Sequence, residues 1–98
     1  MKSLRFIWDE TKARSNVAKH GINFALAEEV WDDPLHLIVP DQVVDGEERW
    51  HAIGQVGFVT LLVVVHAYPP YDDETLVRII GARKATRHER RRYEEDAS

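Results

Sequence analysis

Ninety-eight residues with 44% hydrophobic side chains are enough for one domain, residues 1–98, with its own core. The absence of cysteine excludes disulfides, zinc thiolate sites and a thiol nucleophile. A net charge of −4 argues at first against a nucleic-acid ligand, but the charge is unevenly spread. Residues 1–82 hold seven Lys/Arg against thirteen Asp/Glu, whereas residues 83–92 hold six basic residues against Glu89 alone. A local cationic surface attracts phosphate whatever the net charge is.

The opening MKSLRFIWDE has no apolar stretch of signal-peptide length, which points to the cytoplasm. The longest apolar run, Val59 to Val65, is broken by Thr60 and is far short of the ~20 residues of a membrane span. Leu4–Trp8 is predicted as a strand with Leu4, Phe6 and Trp8 on one face. Asp9 is the expected N-cap of a helix that runs to about His20 and ends at Gly21. That helix has only Ala13 and Val17 as clear core positions. Asn23 is a second N-cap; behind it Phe24, Ala27, Val30 and Trp31 recur at helical spacing until Asp33-Pro34 stops the helix. His36–Val39 predicts a brief strand and Pro40–Glu48 a polar loop with a turn signal at Asp45-Gly46.

Three strands are expected to follow. Arg49–Val56 places Arg49, His51 and Ile53 on one face and Trp50, Ala52 and Val56 on the other. Phe58–His66 is apolar enough to be buried on both faces. Tyr68–Glu74 is a loop, Thr75–Arg83 the last strand and Ala85–Glu95 a final helix. Ala85, Glu89 and Tyr93 fall on the side of that helix facing the sheet. The order β-α-α-β-β-β-β-α predicts an α+β domain, an antiparallel sheet with helices packed mainly on one face.

Four phrases together resemble the BrnT toxins in order and spacing over nearly the whole chain. They are FIWDETKARSNVAKHGINFALAEEVWDDP, ERWHAIG at 48–54, LLVVVH at 61–66 and RIIGARKATRHERRRYEE at 78–95. The resemblance implies a RelE-like fold and a ribonuclease that cuts RNA, arrests translation and is neutralised by a BrnA-like antitoxin. It also implies contact with operator DNA only through the antitoxin complex, within which a dimer is allowed for, and no membrane partner. Gly81 stands in RIIGARKA where the resemblance leads one to expect Ser.

A metal-free ribonuclease must deprotonate the 2′-OH, stabilise the charge on the phosphorane and protonate the leaving 5′-oxygen. Arg49 and Arg78 each interrupt an apolar strand and are candidates to clamp a phosphate. The alternative is that each pairs with a carboxylate from Asp41–Glu48 or Asp72–Glu74. Arg83 and Lys84, where the last strand meets the last helix, are further phosphate candidates, with a solvated junction as the alternative. Of the two strand histidines, His66 beside the loop is the first choice for acid or base and His51 the second. Arg87, Arg90, Arg91 and Arg92 read as an RNA-tracking surface or as an ordinary solvated helix face, and Glu89 and Tyr93 as polar glue docking that helix or as groups that orient an arginine and supply a proton. No carboxylate pair has interleaved His at ligand spacing, so neither a metal nor another cofactor is expected. Two rivals to the ribonuclease remain: a non-catalytic module of the same fold that binds an antitoxin or nucleic acid through its basic helix, and, less in keeping with the sequence, a DNA-binding regulator.

Overall fold

A computed structural model describes residues 3–58, 60–70 and 75–97. The chain forms β1 (Arg5–Ile7), α1 (Glu10–His20), α2 (Phe24–Ala27) continued by a 3₁₀ helix (Glu28–Asp32), β2 (Leu37–Val44), β3 (Glu47–Val56), β4 (Thr60–Ala67), β5 (Leu76–Lys84) and α3 (Arg87–Ala97). The expected α+β class and element order stand. The strands lie in the order β1-β5-β4-β3-β2. All neighbours are antiparallel except β1 and β5, which run parallel, so the sheet is mixed rather than wholly antiparallel. A parallel pair is reached here because two helical segments and three strands separate β1 from β5.

The expected caps form. Asp9 accepts from the Lys12 amide at 3.0 Å, Asn23 from the Leu26 amide at 2.7 Å, and Gly21 ends α1 with φ 72°. Asp45 and Gly46 both take positive φ, the two-residue turn that joins twisted antiparallel strands. The turn signal was therefore right but the polar loop was not: β2 runs to Val44 and β3 starts at Glu47.

One sheet face packs Ala52, Val56, Leu62, Val64, Ile79 and Ala82 beneath Ile22, Phe24, Ala27 and Val30, with Phe6, Trp8 and Trp31 around them. Gly54 lets the 3₁₀ helix cross β3 closely, for a Cβ there would lie 2.8 Å from Val30 Cγ1 and 2.9 Å from its carbonyl oxygen. The other face carries a smaller cluster, Ile53, Leu61 and Val63, closed by Tyr93 of α3. Tyr93 also donates to Asp33 Oδ2 at 2.6 Å, which ties α3 to the end of the 3₁₀ helix.

Helix α1 departs from expectation. Val17 is exposed, and the buried residue is Asn16. Its Nδ2 donates to the carbonyls of Ile22 and Ala82, both at 2.9 Å, and its Oδ1 accepts from the Ala82 amide at 3.1 Å. Strand β1 pairs with β5 only as far as Arg78, so this amide satisfies the edge of β5 where no strand does.

Candidate active site

Alternation along β3 puts Glu47, Arg49, His51 and Ile53 on the face opposite the main core. In register, His51 lies beside Val65 and Val65 beside Gly81, while Ala67 faces Arg78 and Val63 faces Arg83. Arg78 reaches over β4, two strand spacings or about 10 Å, to place Nη2 2.6 Å from Glu47 Oε1. The same oxygen lies 3.5 Å from Arg49 Nε. The strand arginines therefore converge, as expected, but on a carboxylate from the 41–48 segment. The carboxylate pairing is the arrangement seen: two guanidiniums share one anion and leave a net positive charge. The other carboxylates considered as partners, Asp72–Glu74, lie outside the described residues, as does Val59.

Nε of Arg49 is buried without a hydrogen bond, the only such side-chain atom among the described residues. The Glu47 contact is an ion pair at 3.5 Å rather than a directed bond. A buried donor left without an acceptor is uncommon and costs free energy.

Arg83 lies on the same sheet face. It meets Glu89 through two parallel bonds, Nη1–Oε1 at 2.7 Å and Nη2–Oε2 at 2.9 Å. That pairing holds the Glu89 carboxyl down at about 2 and raises the guanidinium further above its ordinary value. Glu89 also accepts from the Thr86 amide at 2.8 Å, while Thr86 Oγ1 accepts from the Glu89 amide at 3.2 Å. This reciprocal cap starts α3 and was visible in the sequence as Thr86-x-x-Glu89.

Between the arginines stands His51, whose Nε2 lies 3.4 Å from Asp41 Oδ2. Asp41 reaches this face through a bulge in β2, where the pairing slips between Pro40 and Val43. A second slip leaves Ile80 as the extra residue in β5 between the register positions of Arg78 and Arg83. Neither bulge is legible from periodicity, and the pairing of His51 with Asp41 depends on one of them.

His66 needs correction as the first-choice acid or base. It sits on the core face, 0% exposed, with Trp31 edge-on at 4.9 Å. Its Nδ1 is 3.1 Å from the Val64 carbonyl and its Nε2 3.2 Å from the Tyr68 hydroxyl. Burial pushes its pKa down to about 4. A neutral histidine with no exposed surface is not placed to exchange a proton with a bound ligand.

Lys84 is exposed at the end of β5, and Arg87, Arg90 and Arg91 are exposed along α3 at i, i+3 and i+4. They form a cationic flank beside Arg83 and do not join Arg49 and Arg78 on the sheet. The opposite side of α3 carries half-buried Glu89 and buried Tyr93, as expected. Among the described residues no group of three or more His, Asp or Glu is placed to hold a metal, and no helix is long and apolar enough to cross a membrane.

The fold and this face define a small α+β protein with three arginines and a histidine on one open face of its sheet. Residues 8–89 match the family described as the ribonuclease toxin, BrnT, of type II toxin–antitoxin systems, and the chain belongs to that family. Among solved structures it resembles the Brucella abortus ribonuclease toxin BrnT, with 26% identity and a TM-score of 0.66 over 87% of this chain and 100% of that one. None of the curated proteins compared with the chain matches it. A type II toxin is one half of a pair, so an antitoxin is its partner.

Proposed function

We propose that this protein is an endoribonuclease that cuts single-stranded RNA without a metal ion on the face bearing Arg49, His51, Arg78 and Arg83. The observation that carries the reading is the convergence of Arg49 and Arg78 on one carboxylate oxygen, with the Nε of Arg49 desolvated and unbonded. A phosphodiester offers the same kind of oxygen with more acceptors, so it displaces Glu47 and takes both guanidiniums. The 2′-oxygen then attacks phosphorus, the P–O5′ bond breaks, and a 2′,3′-cyclic phosphate and a 5′-hydroxyl result. The arginines stabilise the added charge on the phosphorane. His51, held by Asp41, is the group on this face suited to take the 2′-proton and return one to the 5′-oxygen. Lys84, Arg87, Arg90 and Arg91 track the flanking phosphates.

Cleavage in the cytoplasm would arrest translation, and a BrnA-like antitoxin would neutralise it by covering the basic α3 flank. Operator DNA would be contacted only by that complex. Pure protein incubated with a structureless RNA oligonucleotide in EDTA tests the central claim. Fragments ending in 2′,3′-cyclic phosphate are expected. Loss of cleavage in EDTA with rescue by magnesium would overturn the mechanism. No cleavage under either condition would favour the non-catalytic module.

A further inference from the structure

At the end of the β2–β3 hairpin lies a cavity of about 440 Å³ lined by Trp50, Tyr68, Pro70 and Glu48, on the His66 side of the sheet, together with Asp45 and Glu47. Resting on the ribonuclease reading above, we propose that this cavity is a nucleobase subsite, selective for guanine, for the nucleotide next to the cleaved phosphate.

Three features carry the assignment. The first is aromatic: Trp50 and Tyr68 meet with centroids 6.2 Å apart and planes inclined at 61°, and Tyr68 is 46% exposed. Tyr68 is held in place, since its hydroxyl lies 3.2 Å from His66 Nε2 and its ring stands edge-on to that imidazole at 5.3 Å. A fixed, open aromatic face is what an unstacked base in single-stranded RNA uses. This also gives buried His66 a task, as the support of Tyr68.

The second feature is position. Glu47 is one of the residues lining the cavity and its carboxylate bonds Arg78, so the cavity and the arginine site border one another at that residue. The third is polarity. Glu48 and Trp50, two apart on β3, share a strand face, and an ionised carboxylate only accepts hydrogen bonds. A base entering beside Glu48 must therefore present donors. Guanine presents two side by side, N1–H and the 2-amino group, matched to the two oxygens of a carboxylate. Uracil has a single N–H flanked by two carbonyls that would face the carboxylate.

Binding of 3′-GMP and 3′-UMP, followed by calorimetry, tests the pocket without any cleavage. Folding of each variant is checked by thermal melting. Wild type is expected to bind 3′-GMP at least tenfold more tightly than 3′-UMP. Tyr68→Ala is expected to weaken 3′-GMP roughly 5- to 150-fold, the range for loss of one stacked base. Glu48→Gln is expected to bring 3′-GMP down to the level of 3′-UMP while leaving 3′-UMP unchanged. Equal binding of the two nucleotides by wild type, or no effect of either substitution on folded protein, would overturn the proposal. Guanine preference in a protein that fails to cut RNA would refute the ribonuclease reading and leave the pocket standing. RNA cleavage without guanine preference at 3′-nucleotide binding would do the reverse.

Discussion

Arg83 and Glu89 meet side by side, with two hydrogen bonds of 2.7 and 2.9 Å joining the end of β5 to the first turn of α3. Glu89 thus fixes the Arg83 guanidinium and caps a helix with one carboxylate. Because its pKa is lowered from 4.5 to about 2, the folded state favours the ionised form. The stabilisation is complete above pH 4.5 and is lost as the pH falls through that value towards 2. Glu89→Gln should therefore melt below wild type at neutral pH, with the gap closing on acidification across that window. A gap that stays constant with pH would show that the carboxylate charge plays no part.

His66 gives a separate acid dependence. Its pKa falls from 6.5 to about 4 because burial excludes the imidazolium. The unfolded chain takes up a proton between those values and the folded protein does not. Stability is full above pH 6.5 and declines down to about pH 4, by roughly 3 kcal/mol for a shift of this size. Proton NMR of the ring should show His66 titrating near 4. Titration of His66 near 6.5 would mean that the ring meets solvent, and would return it to contention as the acid or base.

The glycines of β3 and β5 make a matched pair. Gly54→Ala forces a methyl group to 2.8 Å from Val30 Cγ1 and 2.9 Å from its backbone oxygen. Overpacking of this kind costs about 1–3 kcal/mol, or a fall of roughly 5–20 °C in Tm for a domain of this length. Gly81, where the family resemblance led us to expect Ser, has only Asn16 Oδ1 at 3.7 Å from a Cβ. Gly81→Ser should fold with a Tm near wild type. A large loss there and none at Gly54 would reverse the packing account.

Much of the scaffold was legible because caps and periodicity are local signals. Asp9, Gly21, Asn23 and Asp45-Gly46 acted where they stood, and the alternation of Arg49, His51 and Ile53 correctly put those three on one face. What escaped is non-local or polar. Asn16 looked like a surface residue of α1; its burial follows from an unpaired stretch of β5 sixty-six positions away. Asp41 reaches His51 through a bulge. His66 was misplaced because a histidine ending an apolar strand gives no sign of which sheet face will be covered by Trp31. Reading Thr86-x-x-Glu89 as a capping box would have moved the start of the last helix from Ala85 to Arg87 and shown Glu89 facing back towards Arg83.

The sharpest test of the site lies in Arg78. Its partner Glu47 is about a quarter exposed and shared with Arg49, so the ion pair is screened and adds little to folding, on the order of 0.2–1 kcal/mol. A guanidinium aimed at a developing phosphorane is worth far more in rate, typically roughly 10²–10³ in kcat. Arg78→Ala should therefore melt near wild type and lose most of its cleavage. Arg78→Lys should recover only part, because a point charge cannot reproduce a bidentate fork. Arg49→Ala should also lose rate, and the double variant should lose less than the product of the two, since both cations act on one phosphate. Glu47→Gln frees both guanidiniums from their internal anion and should tighten binding of a non-cleavable 2′-O-methyl RNA. Arg91→Ala is the control: it sits exposed on α3 and should weaken binding mildly, reducing the salt dependence by about one phosphate contact. If Arg78→Ala instead melts early while its folded fraction cuts RNA at the wild-type rate, the Glu47 bridge is structural and the site lies elsewhere.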